Sequence, residues 1–264
     1  MIRNQQSGLQ LVKKILAADF ACEEGDFDKE GVTIHRAKEI EGARRFPLPD
    51  KFLAVVTMGK GVVICCSANR LRWVRSNLNQ FSPERLFYIP ALALMQRYVS
   101  HDHQSMIGPD LKYICTKDTF RPFYLNKRIN KKIEVSLIRG KNIEKLYENN
   151  KFPNALGNIA SVQRPRLLAC LAKYDEKVIG IAGASADSDP MWQIGIDTLG
   201  GYRNQGIGKA LVSQLTKELL QKGILPYYST GISNIASRRI ATSLGYRPAW
   251  VEIYSREPPA PGEN

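Results

Sequence analysis

Residues 203–208, Arg-Asn-Gln-Gly-Ile-Gly, combine a forked cation with two glycines. They follow an apolar, strand-like run and lead directly into a helical pattern that repeats apolar residues every fourth position. The first N–H groups of a helix lack intrahelical partners, and the helix dipole makes that end positive. Glycines there let an anion approach the backbone, and Arg203 adds a fixed charge with several donors. The segment predicts a phosphate-binding turn, with a merely flexible strand–helix turn as the alternative.

Two common nucleotide motifs do not fit this spacing. A Walker loop needs a Gly five residues before its GK pair and a Ser or Thr after it, whereas this chain has Arg203 and Ala210 there. A dinucleotide fingerprint needs a third glycine and an acid about 20 residues further on. Leu211 stands at the glycine position, and the later stretch has no acid. The motif therefore predicts neither ATP with magnesium nor NAD.

The remaining pattern, R-x-x-G-x-G, resembles the pyrophosphate loop of the GNAT superfamily of acetyl-CoA-dependent N-acetyltransferases. The resemblance covers residues 131–264, which follow the family's order of strand, helix, hairpin, strand, loop, helix, strand, helix and strand. A second motif, SNIASRRIATSLGY, resembles the family's later helix, with Asn234 near its start and Gly245 and Tyr246 at its end. The segments GASAD…MWQIGIDTL and GYRPAWVEIYS look like the two-domain bacterial branch that includes zwittermicin A resistance proteins.

The resemblance implies an α/β fold with two domains. Residues 131–264 are expected to form a GNAT-type mixed, mostly antiparallel sheet flanked by helices, and to be the acetyl-CoA-binding catalytic domain. Residues 1–130 are expected to form a smaller N-terminal α/β domain that walls the acceptor site. Within it, KFLAVVTMGKGVVICCS predicts two strands, and SPERLFYIPALALMQRY predicts a helix capped by Ser82 with Pro83 in its first turn.

The resemblance also implies which residues bind acetyl-CoA, the co-substrate. In the family, the strand before the loop bows away from the next strand, and the pantetheine arm lies in the opening. The arm is then expected along Asp197, Thr198 and Leu199. The remaining expected contacts are those of the pyrophosphate and of the later helix: Arg203, Asn204, Gln205, Gly206, Ile207, Gly208, Lys209, Asn234 and Ser237.

Acetyl transfer requires the amine to lose a proton and the departing thiolate to gain one. All three histidines precede residue 131, so Asp197, at the open end of the central strand, is the predicted base. Hydrogen bonding of Asp197 to the turn after it is the alternative. Glu252 and Tyr254 alternate with Trp250 on the last strand and so share a face. That face is either catalytic or a packed aromatic surface.

The proton donor departs from the family pattern. Many members place a Tyr seven residues after the Asn, but counting from Asn234 gives Ala241. By strand position, Tyr254 and Tyr228 are the replacement candidates. Alternatively the thiolate leaves without help, because a thiol of pKa about 8.5 is a tolerable leaving group.

Composition limits the partners. The net charge is +13, from 38 basic and 25 acidic residues. Residues 1–130 hold 20 basic and 13 acidic residues, an excess of 7, which leaves 18 and 12, an excess of 6, for the rest. A positive charge spread over the whole chain attracts RNA, membrane headgroups or phosphorylated molecules, or it belongs to a solvated face without a specific partner. No aromatic-interleaved basic motif indicates RNA, and no apolar run approaches the ~18 residues of a membrane span.

The cysteines indicate the compartment. Their number, five, is odd, no CxxC occurs, and Cys65 and Cys66 are adjacent, so a cytoplasmic setting is expected. Cys170 lies in an apolar strand and is expected in the core. The run 101–103, His-Asp-His, has metal-like composition but no third ligand at a recognisable spacing, so no metal is expected. A homodimer is the assembly we keep open.

The sequence therefore predicts direct transfer of an acetyl group from acetyl-CoA to the amine of a small molecule. One alternative is a catalytically weak CoA-binding sensor. Another is an acetyltransferase that acts on a protein or RNA-associated substrate. The acceptor is expected to be selected by the segment YENNKFPNALGNIASVQR.

Overall fold

A computed structural model describes residues 4–46, 50–126, 132–147, 151–157 and 164–257. The chain divides into two compact units. Unit 1 contains Met1–Gly8, Tyr113–Ser229 and Asn234–Pro248, and unit 2 contains Leu9–Lys112, Thr230–Ser233 and Ala249–Asn264. The expected boundary at residue 130 differs from this division, which falls after Lys112 and gives the end of the chain to unit 2.

Unit 2 is a small α/β structure. Its elements are α1 (Gln5–Asp19), β1 (Gly31–Arg36), β2 (Leu53–Thr57), β3 (Gly61–Cys66), α2 (Leu71–Asn77), α3 (Ile89–Ser100) and β4 (Ser105–Ile114). Of α1, the part from Leu9 onward belongs to unit 2, and of β4, the part up to Lys112. Strand β3 lies parallel to β1 and antiparallel to β2. Strand β2 also pairs antiparallel with the C-terminal strand Arg247–Arg256. That pairing explains why the end of the chain belongs to unit 2.

The predicted helix over residues 82–98 is corrected by the structure. A short 3-10 turn covers Glu84–Phe87, Tyr88 is extended, and α3 begins only at Ile89. Pro90 has no N–H and its ring would clash with the carbonyl four residues earlier, so a continuous helix through it is disfavoured. In the first turn of α3 the same proline is well tolerated. The two strands predicted around the Gly-Lys-Gly turn are present as β2 and β3.

Unit 1 contains the larger sheet. Its elements are β5 (Ile133–Arg139), α4 (Pro153–Leu156), β6 (Arg166–Tyr174), β7 (Lys177–Ser185), β8 (Met191–Thr198), α5 (Ile207–Gln221), β9 (Leu225–Gly231), α6 (Ile235–Ser243) and the start of β10 (Arg247–Arg256). Of β9, the part up to Ser229 belongs to unit 1. The strand order is β9-β8-β7-β6-β5. Only β8 and β9 are parallel among the described pairs of this sheet. The expected mixed, mostly antiparallel sheet flanked by helices is confirmed.

Glycines bring two helices onto opposite faces of this sheet. A Cβ on Gly180 would contact Leu211 and Ile207 of α5 at 3.2 and 3.3 Å. On the other face, a Cβ on Gly183 or Gly195 would overlap the backbone of α4. Because side chains alternate along a strand, the odd-numbered β8 residues lie on the α4 face and the even-numbered ones on the α5 face. Within the described ranges, no helix is long and apolar enough to cross a membrane.

Candidate active site

The glycine turn forms the start of α5. After β8 ends, a 3-10 turn covers Gly200–Tyr202, and Gly206 is the N-cap residue of α5 in the left-handed region, at φ 79° and ψ 0°. Asn204 also has a positive φ, 62°. The N-cap glycine supplies no side-chain acceptor, and the helix's first backbone bond runs from Ala210 N to Gly206 O at 3.0 Å. The start of α5 therefore has no side-chain cap, which is an arrangement that suits an anion.

Both glycines of the motif also have packing roles. A Cβ on Gly206 would lie 3.2 Å from the Phe123 ring, and one on Gly208 would lie 3.3 Å from Thr198 Oγ1. Phe123 is held against α5 because its N–H donates to Ser213 Oγ at 2.8 Å. Gly206 thus serves the turn conformation, and Gly208 lets α5 start directly against β8.

Two basic side chains flank the turn. Arg203 is exposed, and its Nε donates to the carbonyl O of Thr198 at 3.1 Å, which anchors the side chain at the end of β8. Lys209 Nζ lies 4.5 Å from the centroid of the Phe123 ring. Gln205 Nε2 donates to Gly201 O at 3.4 Å and closes the loop. The turn is therefore ordered by its own residues and carries two positive charges.

Strands β8 and β9 pair over only part of their length. Their parallel register runs from Met191 and Leu225 to Ile194 and Tyr228. Strand β8 continues to Thr198, but within unit 1 no further Cα partners join it to β9 among the described residues. The expected opening between the central strand and the next one thus begins after Ile194.

The later helix begins beside this opening. Asn234 is the N-cap of α6, and its Oδ1 accepts from the N–H of Ser237 at 3.1 Å. Ser237 Oγ lies 2.8 Å from the hydroxyl of Tyr228, so the end of the β8–β9 pairing is tied to α6. The predicted Asn234 and Ser237 are therefore brought together, and Asn234 has a clear structural role as a cap.

Tyr228 is a buried hydroxyl next to the opening. Burial and, more weakly, the nearby Asp197 carboxylate raise its pKa, to about 12, against the opposing effect of the Ser237 hydrogen bond. It therefore stays protonated at physiological pH. Its ring packs edge-on against Tyr246 at 5.9 Å between centroids. Ala241, which stands where many family members have the donor Tyr, is fully buried.

Asp197 lies on the α4 face of β8 and caps α4. Its Oδ1 accepts from Asn154 Nδ2 at 2.6 Å, and its Oδ2 accepts from the N–H of Ala155 at 2.8 Å. Hydrogen bonding to a turn was the expected alternative to a base, and here the partners are Asn154 and Ala155 of α4, 43 and 42 residues earlier, instead of the turn that follows. Because both oxygens accept hydrogen bonds from α4, the geometry favours a positioning role.

Glu252 is buried in an ion cluster of unit 2. Its oxygens contact Arg44 Nη2 at 2.9 Å, Lys112 Nζ at 3.0 Å and Trp250 Nε1 at 2.9 Å. Burial acts to raise its pKa, but Arg44 and Lys112 outweigh that effect and hold the pKa below its ordinary value. A carboxylate with both oxygens paired to buried cations is a weak base, so the geometry gives Glu252 a structural role.

The other expected residues fall as follows. Tyr254 is on β10 in unit 2, and burial raises its pKa although Lys112 opposes the shift. Leu199 follows β8, and its N–H donates to Ile179 O at 2.9 Å. Cys170 is fully buried, and burial raises its pKa to about 12. Among the described residues, no three His, Cys, Asp or Glu side chains converge as a metal site would require.

Sequence reasoning missed α4, which carries Asn154 and Ala155 onto Asp197. The signal for it was present in Gly183 and Gly195, because glycine within a strand marks the close approach of another backbone. Phe123 was also missed, since it precedes residue 131, where the resemblance begins. Its N–H bond to Ser213 Oγ places it against the predicted phosphate turn.

Comparison with known proteins supports the resemblance to the GNAT superfamily. A family model described as GNAT acetyltransferase matches residues 54–250. None of the curated proteins compared with the chain matches it significantly. A solved GCN5-related N-acetyltransferase-like protein from Streptococcus suis 89/1591 is 20% identical with a TM-score of 0.50, over 78% of this chain and 84% of that one. At that identity the likeness shows the fold.

Two further solved structures are more distant. A GCN5-related N-acetyltransferase from Kribbella flavida is 18% identical with a TM-score of 0.44, over 60% of this chain and 62% of that one. An aminoglycoside N-acetyltransferase in complex with CoA is 19% identical with a TM-score of 0.34, over 44% of this chain and 89% of that one. The chain thus spans less than two thirds of the Kribbella protein.

Proposed function

The chain belongs to the GNAT acetyltransferase family of acyltransferases, and we propose that it moves an acetyl group from acetyl-CoA directly to the amine of a small molecule. The observation that carries this proposal is the turn before α5. A left-handed Gly206 exposes the helix N-terminus beside two basic side chains, which is a suitable site for a pyrophosphate.

We assign the pyrophosphate to the turn and the pantetheine arm to the strand opening. The first N–H groups of α5 and the side chains of Arg203 and Lys209 would bind the pyrophosphate, with Asn204, Gln205, Gly206, Ile207 and Gly208 shaping the loop. The arm would lie along Asp197, Thr198 and Leu199, where β8 no longer pairs with β9, and would pass Asn234 and Ser237. This places the thioester near the Tyr228 hydroxyl.

The reaction then needs two proton transfers around one displacement. The neutral amine attacks the thioester carbonyl, a C–N bond forms and the C–S bond breaks, and the amine proton leaves to water or to a base. Tyr228 donates a proton to the departing thiolate and is reprotonated by solvent. We prefer Tyr228 to Tyr254 because it lies in unit 1 with the CoA-binding residues and hydrogen-bonds Ser237.

Asp197 acts in this scheme as a positioning residue. By accepting two hydrogen bonds from α4 it keeps that helix against the strand along which the pantetheine arm lies. Its negative charge also favours an amine or ammonium nearby. Positioning of reacting groups supplies much of the rate enhancement in such direct transfers.

The test is a panel of amines incubated with acetyl-CoA, with release of free thiol as the readout and thermal shift with CoA in parallel. Stabilisation by CoA together with turnover of at least one amine is expected. Stabilisation without turnover of any amine would favour the CoA-binding sensor. Turnover confined to proteins or RNA-associated substrates, with binding that weakens steeply as salt rises, would favour the third hypothesis. We also propose a cytoplasmic location and a homodimer, which cell fractionation and sedimentation would test.

A further inference from the structure

Arg166 begins β6 as a partly buried cation without a carboxylate partner. Its Nε donates to the carbonyl O of Ala155 at 3.1 Å. In the described part of the chain no carboxylate lies within ion-pair distance of its guanidinium, since the nearby Asp187 pairs with Arg164 instead. Burial, and then the positive charge of Arg164, lower the pKa of Arg166, while the negative charge of Asp187 opposes the shift. Arginine is seldom buried without an anionic partner.

The neighbouring carboxylate is already occupied. Asp187 is fully buried, and its Oδ1 accepts from Arg164 Nε at 2.9 Å and from Ser185 Oγ at 2.7 Å. Its Oδ2 accepts from the hydroxyl of Tyr227. Arg164 therefore occupies this carboxylate, and the charge of Asp187 acts on Arg166 without an ion pair between the two.

The strand register places Arg166 close to the opening. Arg166 pairs with Ser185, Ser185 with Gln193, and Gln193 with Tyr227, so the four form one row across β6, β7, β8 and β9. The row ends one residue before the β8–β9 register stops. From β6 to β8 the distance is two strand spacings, about 10 Å.

Ala155 connects Arg166 directly to the proposed site. Its N–H donates to Asp197 Oδ2 at 2.8 Å, and its carbonyl O accepts from Arg166 Nε at 3.1 Å. The carboxylate of Asp197 and the guanidinium of Arg166 are thus anchored on the two peptide groups of one residue. Both lie on the α4 face of the sheet, opposite the face on which α5 packs.

We propose that Arg166 binds an anionic group of the acceptor, so that the substrate class is an amine that also carries a carboxylate or a phosphate. The proposal rests on the acetyl transfer proposed above and deepens it. An arginine fork matches both anions bidentately, and a bound anion would pair with the positive charge of Arg166. The same charge would repel an acceptor with only cationic groups near this position.

The experiment compares matched amines that differ only in the anion. Amino acids are paired with their carboxamides, and phosphoethanolamine with ethanolamine, so that the two arms separate carboxylate from phosphate. The variant is Arg166→Gln, whose amide can still donate to Ala155 O. The control is Arg139→Gln, which removes an exposed arginine that pairs with Glu218.

For Arg166→Gln we expect kcat/KM for the preferred anionic amine to fall about ten- to a hundredfold, the effect of one charged hydrogen bond, while the neutral partner changes little. Arg139→Gln should alter neither. An equal loss for both members of each pair, or a wild type that prefers neutral or polycationic amines, would overturn the anion site.

A binding measurement keeps this site separate from the proposed reaction. If CoA binds but no amine is acetylated, the proposed function fails, and the same anionic amines are titrated calorimetrically into the CoA-bound protein. Binding that Arg166→Gln weakens about tenfold or more supports the anion site. Wild-type protein that binds none of them, or a variant that binds them equally well, contradicts it.

Discussion

At the scale of single residues, Arg203 is the side chain whose proposed contact with CoA is most directly measurable. Its Nε is anchored on Thr198 O while the residue remains exposed. Arg203→Ala should weaken CoA about ten- to a hundredfold in dissociation constant, because a charged hydrogen bond contributes roughly 1.5–3 kcal/mol. Titration calorimetry measures the change. Arg139→Ala is the matched control and should leave the constant unchanged, and an unchanged constant for Arg203→Ala would remove the turn from the CoA site.

Tyr228 offers a test of the proton donor. Since its pKa is about 12, it is protonated throughout the working range. Tyr228→Phe should lower kcat about a hundredfold, the lower end of what acid catalysis contributes, because a thiolate is already a tolerable leaving group. Steady-state kinetics at saturating acetyl-CoA checks this.

A purely structural tyrosine would behave differently. Tyr246 is equally buried, and its hydroxyl lies 2.7 Å from Thr216 Oγ1, so Tyr246→Phe should affect stability and leave kcat nearly unchanged. Tyr228→Phe should also reduce the preference for CoA over desulfo-CoA, because only the former presents a sulfur to the hydroxyl. If both variants lose kcat equally and keep the preference, Tyr228 is not the donor.

A substitution of Asp197 distinguishes a catalytic base from a positioning residue. Asp197→Asn can accept only one of the two bonds from α4, and losing a helix cap costs about 1 kcal/mol. We expect kcat/KM to fall while its pH profile from 6 to 9 keeps its shape. A profile that loses its acidic limb would instead identify Asp197 as the base.

At the scale of elements, the sequence predicted the parts with a long, regular pattern. Helix α5 was predictable because Ile207, Leu211, Leu215 and Leu219 repeat every fourth residue, and all four are buried. The hairpin of β6 and β7 was predictable from its polar turn, where Asp175 and Glu176 have positive φ values. Helix α5 begins at the predicted phosphate turn, so that part of the candidate site was predictable too.

Short elements set by tertiary contacts were not predictable. Helix α4 has only four residues, which are too few to show a periodic pattern. Strand β1 (Gly31–Arg36) directly follows an acidic, loop-like stretch, so its β-branched residues were not recognised as a strand. Tertiary contacts also decided how Glu252 and Asp197 are interpreted, because their partners Arg44 and Ala155 lie far away in the sequence. The contact of Arg166 with Ala155, on which the proposed anion site depends, was missed for the same reason.

The packing of α4 on the sheet gives a prediction at this scale. A Cβ on Gly195 would overlap the carbonyl O of Asn154, and backbone on both sides leaves little room to relax. Gly195→Ala should lower the free energy of unfolding by about 1–3 kcal/mol, the usual cost of overpacking. Thermal denaturation measures this. Gly200→Ala, where nothing lies within 4 Å, is the control, and an equal melting temperature for both variants would contradict the close contact.

At the scale of the whole molecule, buried charge in unit 2 joins distant parts of the chain. Asp19, Arg44, Lys112 and Glu252 form one cluster, with Arg44 bonded to both carboxylates. Opposite charges balance within it, unlike the surface, where the basic excess of 13 is spread over the chain. The cluster therefore ties the C-terminal strand to residues more than 130 positions earlier.

The cluster should make stability depend on acid pH through Glu252. Its pKa in the folded chain is lower than in the unfolded chain, where a Glu titrates near 4.3. The unfolded state thus binds more protons at acid pH, and the stabilisation is complete above about pH 5 and is lost as the pH falls through the folded pKa. Asp19, whose pKa burial raises despite Arg44, opposes part of this loss.

Glu252→Gln should therefore be less stable than the wild type by about 3–5 kcal/mol at pH 7, because it leaves Arg44 and Lys112 buried without their shared carboxylate. Its free energy of unfolding should also fall less between pH 6 and pH 3. Urea unfolding across that range measures both effects. Lys13→Gln, which breaks a pair with the mostly exposed Asp28, is the control and should stay within about 1 kcal/mol of the wild type. A Glu252→Gln curve parallel to the wild type would show that Glu252 does not carry the acid sensitivity, and retained stability at pH 7 would show that the buried cations do not need it.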